Sequence, residues 1–415
     1  MRPETSAPRL AQGDETSRLN GMRLYVAVAV CVLIAMLDGF DVQAIGIAAP
    51  VLFPELKLDP IHAGQIFSSA QVGFVAGALL GGALSDLLGR RNALMSGVIC
   101  VGAFSLGTIY TFSFDTLLAA RLFTGLGIGV VVVNLISLTV EIAPTKHRAK
   151  IVAITLAGLP AGGAIAALVG HAFIESSGWR SLFLVGGLAP LLIAPFLLLI
   201  PNMRPHRQKQ DGVGKEWLHA LFGEGRGIST MLLWLTLFLG SCILYLILNW
   251  LPSLMTDRGF TVQFAHRSSA FFSIGGCVGT LAIGAAVDRF GYRSVLPLGY
   301  GGVAIGVVGL AFAAAPASIL TFAAVAGFFI LGSGYSLNGL APAYYPTAAR
   351  GLGIGASVAV GRAGSIVGPL LGGYILSGGI ASLPSGAVGV LIVTVPLAIA
   401  SGAIAYLLTL RARML

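Results

Sequence analysis

A succession of about twelve long apolar runs is the feature that most constrains how this chain can fold. A helix that crosses a bilayer needs roughly 20 mainly apolar residues, and each run has about that length. Charged residues make up 10% of the 415 residues, whereas a soluble domain carries about 25%. The sequence therefore predicts an all-α polytopic membrane protein with 12 transmembrane helices, centred near residues 36, 73, 103, 128, 161, 190, 240, 275, 305, 329, 363 and 397.

Lysine and arginine residues are distributed unevenly between the two sides of the predicted spans. With the N-terminus inside, 19 of the 25 fall in cytoplasmic segments, four fall outside, and Arg121 and Arg362 lie within spans. Because Lys and Arg accumulate in cytoplasmic loops, both termini are predicted to be cytoplasmic. Membrane topology thus accounts for the net charge of +9. We expect membrane lipids as partners, no nucleic acid, and a monomeric protein.

The two halves of the chain resemble each other at one fixed offset. GALSDLLGRR (82–91) matches GAAVDRFGYR (284–293) at an offset of 202 positions, and the same offset relates Ala161-Gly162 to Ala363-Gly364. An offset of half the chain indicates a duplication, which predicts two pseudo-symmetric six-helix bundles. The predicted organisation is a cytoplasmic N-terminal tail (1–23), an N-terminal bundle (24–201), a cytoplasmic linker loop (202–228) and a C-terminal bundle (229–415).

The repeated motif lies between the second and third spans of each half. Its form, G-x-L-S-D-x-x-G-R-R, resembles the first cytoplasmic loop of the major facilitator superfamily, which implies the fold of that superfamily. An acid there can pair with arginines or cap a neighbouring helix, so that the contact closes the cytoplasmic side in one conformation. A static topology signal is the alternative. Leu87 and Tyr292 replace the usual basic residue, and the candidate gating residues are Asp86, Arg90, Arg91, Asp288 and Arg293.

Two acids lie three residues apart within the first apolar run, AMLDGFDVQAIG. Asp38 and Asp41 occupy one face of a helix, about 60° apart, and can face one cavity. Two nearby carboxylates in a low-dielectric site disfavour simultaneous ionisation, which suits proton uptake on one side and release on the other. The alternative is that arginines or hydroxyls hold both acids in helix packing.

Two charges in the fourth span complete the predicted proton-coupling group. Arg121 opens RLFTGLGIG, which is similar to the superfamily's R-x-x-x-G-x-G pattern. A buried arginine keeps its charge and needs an acid, carbonyl groups or an anionic ligand. Glu141 lies near the cytoplasmic end, where an interfacial salt bridge is as plausible as a transport role.

The quartet D-G-F-D also resembles the first-span signature of the aromatic acid:proton symporter family, within the same superfamily. LILNWLPSLM (246–255) and the segment at 344–373 agree with that family. The resemblance implies that an aromatic carboxylate, such as a hydroxyphenylpropionate or hydroxybenzoate, enters with a proton. It implies no cofactor other than this coupling proton, no metal, and residence in a bacterial inner membrane.

Several residues of the later spans suit such a substrate. Arg362 corresponds to Pro160 under the offset, so the repeat does not require it. A planar guanidinium can bind a carboxylate bidentately; pairing with Glu141 or an aspartate is the alternative. Aromatic side chains can enclose the ring while Asn or Tyr bonds a ring hydroxyl, although each can instead join helices. The other candidates are Asn134, Tyr245, Asn249, Trp250, Tyr335 and Asn338.

Two alternatives to symport remain open from the sequence. Proton-coupled efflux of amphipathic compounds usually carries a glycine-proline signature in the fifth span, where only Pro160 is present, early in the run. A non-transporting sensor of aromatic acids would need a signalling region, and none is recognisable. No nucleophile and base pair, metal-ligand spacing or phosphate-binding loop indicates an enzyme.

Overall fold

The computed structural model describes residues 22–144, 147–200, 202, 217–223, 225–341, 344–345, 350–380, 384 and 386–411. Most of the predicted N-terminal tail and residues 203–216 of the predicted linker therefore lie outside the described residues. Apolar runs of this length fold as helices in lipid because only a helix satisfies its own backbone hydrogen bonds there. Every secondary-structure element among the described residues is a helix, and none is a strand.

Thirteen α-helices are found in the described residues. They are α1 Met22–Glu55, α2 Pro60–Leu88, α3 Arg90–Thr108, α4 Phe114–Ile142, α5 Arg148–Ser177, α6 Arg180–Ile193, α7 Trp217–Phe222, α8 Gly227–Asp257, α9 Val262–Phe290, α10 Tyr292–Phe312, α11 Pro316–Asn338, α12 Arg350–Leu376 and α13 Ala387–Arg411. A 3₁₀ helix, Ala194–Leu199, continues α6. The short α7 lies within the predicted linker.

Eleven of the described helical segments are long and apolar enough to cross a membrane. Helix α3 is not among them; it opens with Arg90, Arg91 and Asn92 and is 19 residues long. Large apolar side chains point outward from the helices, as at Leu79, which is 76% exposed, and Leu298, which is 74% exposed. An apolar outer surface on apolar helices is the arrangement that lipid favours, so the chain is an integral, multi-pass membrane protein.

The long helices form two groups in chain order. Helix α1 packs on α5 and α2 on α4 in the first group, and α8 packs on α12 and α9 on α11 in the second. The groups meet through α2 and α12, α5 and α9, and α1 and α8. A cavity between the groups can therefore be lined by residues from both halves of the chain.

Two hydrogen bonds between the groups lie toward the end where α1 finishes and α2 begins, called the closed end below. The Ser68 hydroxyl of α2 donates to the Ile366 carbonyl of α12 at 2.7 Å. On α9, His266 Nε2 lies 3.0 Å from the Ile47 carbonyl of α1. Ile47 lies in the second half of α1 and Ser68 in the first half of α2, so both contacts are near the closed end. They hold the two groups together on this side of the cavity.

The repeated motif forms the same tight turn twice. Gly89 joins α2 to α3 with φ 84°, and Gly291 joins α9 to α10 with φ 76°. Residues with a Cβ rarely adopt a positive φ, so glycine permits a one-residue connection between two antiparallel helices. The two glycines are 202 positions apart, the offset found in the sequence.

Close helix contacts recur at the same offset. A Cβ on Gly162 of α5 would overlap the backbone of Met36 on α1, and a Cβ on Gly364 of α12 would overlap the backbone of Phe238 on α8. Both members of the second contact lie 202 positions after those of the first. Helices associate in lipid mainly by close packing, and small residues permit that approach.

Replacing Gly162 with alanine should destabilise the protein by about 1 to 3 kcal/mol, because the new methyl group has no room against the Met36 backbone. Gly82→Ala on α2 is the matched control, since nothing lies within 4 Å of a Cβ built at Gly82. The control should be neutral, or stabilising by up to about 1 kcal/mol, as alanine favours helix over glycine. Thermal unfolding of the purified protein in detergent measures both; equal effects would contradict the close contact.

Candidate substrate and proton-coupling site

A cavity of about 180 Å³ lies between the two groups of helices. A water molecule needs only about 10 to 15 Å³ measured in this way, so the cavity can accept a small organic molecule. Helices α1, α2, α4, α5, α8, α11 and α12 contribute to its wall. The predicted site residues that line it are Asp38, Arg121, Tyr245, Asn249, Tyr335, Asn338 and Arg362.

Arg362 of α12 is oriented by two aromatic side chains. Its Nη1 donates to the Tyr245 hydroxyl of α8 at 2.9 Å. Its guanidinium carbon lies 3.6 Å from the centre of the Phe74 ring of α2, a cation–π contact. Neither contact neutralises the positive charge, so Arg362 presents a cation to the cavity. Among the described residues it forms no ion pair, and it does not meet Glu141.

Asp38 of α1 is a buried acid of the cavity wall that interacts electrostatically with this cation. Its side chain is 5% exposed and interacts electrostatically with Arg362 and with Asp41. Its Oδ1 is fully buried and has no hydrogen-bond partner among the described residues. A carboxylate in such a place is expensive to keep charged, because burial without hydrogen bonds is costly. The cavity wall thus holds a buried acid from α1 and a cation from α12.

Asp41 faces a different partner from Asp38. Its two oxygens lie 3.4 and 2.5 Å from Nη1 and Nη2 of Arg121 on α4. Both side chains are 1% exposed, and Phe183 lies against the guanidinium at 5.7 Å. Arg121 also borders the cavity, whereas Asp41 is not part of its wall. The two acids of D-G-F-D thus occupy separate environments, one open to the cavity and one paired.

Polar groups of α8 and α11 complete the wall. Tyr335 interacts electrostatically with Tyr245, Asp38 and Arg362, which places the four groups together. Asn249 and Asn338 donate from their side-chain nitrogens to carbonyls one turn earlier, at 2.8 and 3.1 Å. Their side-chain oxygens have no hydrogen-bond partner in the described part of the chain and are not fully buried. These oxygens can accept a hydrogen bond from a ligand hydroxyl.

Two predicted substrate residues lie outside the cavity wall. Trp250 donates from its indole nitrogen to the Pro369 carbonyl at 3.0 Å and packs edge-on against Phe67. Asn134 donates to the carbonyls of Gly81 and Val130 at 3.1 and 2.9 Å. Both side chains join helices rather than contact the cavity, so their assignment to the substrate is corrected. Polar groups buried between spans are satisfied by neighbouring helices for the same reason.

Glu141 also lies away from the cavity. Its Oε1 is 2.5 Å from Nε of Arg90, which ties the end of α4 to the start of α3. This arrangement is the interfacial salt bridge that the sequence left open, and Glu141 does not line the cavity. Arg90 therefore has its partner within the first group of helices.

The other candidate gating residues do not form the expected acid–arginine contacts in this conformation. Arg91 donates from Nη1 to the Ile200 carbonyl at 3.2 Å, and Arg293 lies over the Tyr406 ring at 5.8 Å. Asp86 and Asp288 are exposed, and neither forms an ion pair within the described ranges. Their gating role stays a prediction about a conformation in which the two groups meet at this end.

The cavity wall also contains residues that the sequence did not single out, and three of them are polar or aromatic side chains at notable positions. Phe74 orients Arg362, and Gln43 and Gln71 line the wall with polar side chains. The available signal was an uncharged amide inside an apolar run, five residues after Asp38 in one case and within SSAQVG in the other. That signal is weak because such amides more often join helices.

In the part of the chain that the structure describes, a central cavity lined from both halves of a helical membrane protein contains Arg362, which forms no ion pair there, and the buried acid Asp38. This is the arrangement expected of a membrane transporter. The family model of the Major Facilitator Superfamily matches residues 31–341. The chain belongs to this superfamily, as its G-x-L-S-D-x-x-G-R-R motif indicated.

Curated relatives resemble this chain over nearly its whole length. The "3-(3-hydroxy-phenyl)propionate transporter" of Escherichia coli (strain K12) is 35% identical over 95% of this chain and 96% of its own. The "4-hydroxybenzoate transporter PcaK" of Pseudomonas aeruginosa is 33% identical over 89% of this chain and 91% of its own. These relatives confirm the resemblance to the aromatic acid:proton symporter family that D-G-F-D indicated.

A solved structure shares the fold. The bacterial homologue of the human lysosomal transporter Spinster, in an inward-facing and occupied conformation, matches with a TM-score of 0.75. It covers 94% of this chain and 97% of that chain at 20% identity. The all-helical fold is therefore that of major facilitator transporters.

Proposed function

We propose that this protein is a proton-coupled symporter that imports a monocyclic aromatic carboxylate by alternating access. The observation that carries the proposal is the presence of Arg362 and Asp38 in one cavity, in electrostatic contact and drawn from opposite halves of the chain. The substrates after which the relatives are named, 3-(3-hydroxy-phenyl)propionate and 4-hydroxybenzoate, support an aromatic acid as the ligand class.

Arg362 is the group that we assign to the substrate carboxylate. Its guanidinium is held by the Tyr245 hydroxyl and the Phe74 ring, neither of which is an anion. A planar fork in a fixed orientation binds a carboxylate through two parallel hydrogen bonds. Tyr335 and the apolar wall residues Phe67 and Leu248 can then contact the aromatic ring.

Asp38 links this binding step to a proton. While Asp38 is ionised, it offers Arg362 a competing negative charge, and a second carboxylate in the cavity is unfavourable. Protonation of Asp38 removes that competition, so the substrate anion and the proton occupy the cavity together. The loaded cavity then contains the substrate anion paired with Arg362 and a neutral Asp38. In this state the protein changes conformation and opens to the other side of the membrane. Release of the substrate restores the contact between Asp38 and Arg362 and favours loss of the proton.

Alternating access requires two bundles that move about the cavity. We assign α1 to α6 and α8 to α13 to two pseudo-symmetric bundles that together contain 12 spans, with both termini cytoplasmic. The equal offsets of the Gly162 and Gly364 contacts support the symmetry, and the uneven distribution of lysine and arginine supports the orientation. The closed end then faces the periplasm. Val358, a wall residue of α12 that is 43% exposed, lies on the cytoplasmic side of the cavity.

Uptake into proteoliposomes under an imposed inward proton gradient tests the proposal. Radiolabelled 3-(3-hydroxyphenyl)propionate and 4-hydroxybenzoate serve as substrates, with an uncoupler as control. One proton with one monoanion is electroneutral, so accumulation should follow the pH difference; a second proton would add about 2.3 kcal/mol per 100 mV of membrane potential. Gradient-dependent accumulation supports symport, whereas no accumulation by correctly folded protein contradicts it.

Replacing Arg362 with lysine should weaken substrate binding about tenfold or more, because a point charge replaces a planar, two-point contact. The transport KM in proteoliposomes measures this effect. Arg267→Lys, at an exposed position of α9 outside the cavity wall, is the matched control and should leave KM unchanged. An Arg362→Lys variant with the KM of the parent protein would show that Arg362 does not bind the carboxylate.

A further inference from the structure

Two buried glutamines of the cavity wall each contact a serine hydroxyl of the other group of helices. Gln43 of α1 is 5% exposed, and its Oε1 accepts from the Ser273 hydroxyl of α9 at 3.0 Å. Gln71 of α2 is 6% exposed, and its Oε1 lies 3.2 Å from the Ser365 hydroxyl of α12. Each amide thus contacts a hydroxyl across the interface between the two groups of helices.

The nitrogen of each amide remains free for a ligand. Within the described residues neither Nε2 atom has a hydrogen-bond partner, and neither is fully buried. Both side chains contribute to the cavity wall, and the Gln43 nitrogen lies there against the backbone of Gly163 on α5. An amide N–H without a protein partner in a cavity wall can donate a hydrogen bond to an acceptor on a ligand.

The position of the amides relative to Arg362 fits a substituted ring. Gln43 follows Asp38 by five residues on α1, and Ser365, the contact of Gln71, follows Arg362 by three on α12. At 1.5 Å per residue, the amides lie about 4.5 to 7.5 Å nearer the closed end than the charged pair. This separation is similar to the length of a benzene ring with a substituent.

We propose that the side-chain nitrogens of Gln43 and Gln71 donate hydrogen bonds to a hydroxyl oxygen on the aromatic ring and thereby select hydroxylated substrates. The inference rests on the proposed function and specifies which aromatic acids that site accepts. With the carboxylate on Arg362, the ring extends toward the closed end and its hydroxyl meets the amides. An acid without the hydroxyl leaves these donors unsatisfied, which is how a polar site rejects an apolar analogue.

The local packing holds the amides in this orientation. Gly163 of α5 lies directly against the Gln43 amide, where a Cβ would overlap it. Ser273 lies 202 positions after Gln71, and Ser365 lies 202 positions after Gly163. At the interface of α2 and α12, Ser365 therefore contacts Gln71. At the equivalent interface of α5 and α9, Gly163 stands in place of the serine. The Gln43 side chain occupies the space beside Gly163 and accepts a hydrogen bond from Ser273.

The first experiment compares 3-(3-hydroxyphenyl)propionate with 3-phenylpropionate, which differ only in the ring hydroxyl. Equilibrium binding of each radiolabelled acid to the detergent-solubilised parent protein gives the affinity ratio. We expect the hydroxylated acid to bind at least about tenfold more tightly, from two hydrogen bonds to neutral donors. Equal affinities would overturn the inference without any variant being made.

The second experiment uses Gln43→Met and Gln71→Met, which keep an unbranched side chain of similar size. Each should lower the ratio of affinities about 3- to 10-fold, through weaker binding of the hydroxylated acid. Gln65→Met, at an exposed position of α2 outside the cavity wall, is the matched control and should keep the ratio of the parent protein. Equal loss of both ligands in the glutamine variants would indicate packing instead and overturn the inference.

Gradient-driven uptake by the parent protein separates this inference from the proposed function. Accumulation of both acids without discrimination would leave symport standing and overturn the role of the glutamines. Discrimination in binding without gradient-driven accumulation would support the role of the glutamines and contradict symport. A parent protein that binds neither acid would overturn both.

Discussion

Asp38→Asn should abolish proton-driven accumulation of the substrate while leaving the protein folded. One pH unit corresponds to about 1.36 kcal/mol, or a factor of ten, so a one-proton symporter accumulates its substrate about tenfold under that gradient. The asparagine variant cannot carry the proton, and its accumulation ratio should fall to one. Its stability should change by less than about 1 kcal/mol, because Asp38 Oδ1 has no hydrogen bond to lose.

Substrate exchange separates loss of coupling from loss of binding. Asparagine resembles the protonated form of Asp38 and leaves Arg362 without its competing charge, so counterflow of labelled against unlabelled substrate should persist. Asp115→Asn, near the start of α4 and outside the cavity wall, is the matched control and should accumulate substrate normally. Accumulation by the Asp38→Asn variant at the level of the parent protein would exclude Asp38 as the proton carrier.

The sequence predicted much of the fold because the bilayer imposes a simple rule. Apolar runs of about 20 residues are helices in lipid, and Gly89 and Gly291 marked the turns by a motif repeated at one offset. Helix α3 is the exception in composition, since Arg90 and Arg91 at its start lower the apolar content that identifies a span.

The site was less predictable, because a polar residue in a span can either line a cavity or form a hydrogen bond to a neighbouring helix. Asp38 and Asp41 were both found from their cost in lipid, yet their spacing could not show that one faces the cavity and the other meets Arg121. Trp250 and Asn134 have the residue types of a binding site, but bond neighbouring helices. Which use applies depends on the rotation of each helix, and only tertiary packing fixes that rotation.

Asp41→Asn should destabilise the protein by about 3 to 5 kcal/mol, in contrast to Asp38→Asn, because it leaves the charge of Arg121 buried without an anion. Arg121 is fully buried and cannot lose its proton. Arg121→Gln should cost less, since the glutamine amide can still donate a hydrogen bond to the remaining carboxylate of Asp41. Chemical unfolding in detergent at neutral pH should therefore rank the two variants, with Asp41→Asn the less stable.

The double variant Asp41→Asn/Arg121→Gln tests whether this difference comes from the ion pair. Replacing both charges leaves a neutral amide pair, and a buried ion pair is often no more stable than a neutral replacement. The double variant should therefore be more stable than Asp41→Asn alone, with a coupling energy above about 2 kcal/mol. Additive losses would mean that Asp41 and Arg121 do not interact as the structure has them. If the double variant is stable and still shows proton-driven accumulation, the Asp41–Arg121 pair serves only to hold α1 against α4. Asp38 is then the coupling acid of D-G-F-D.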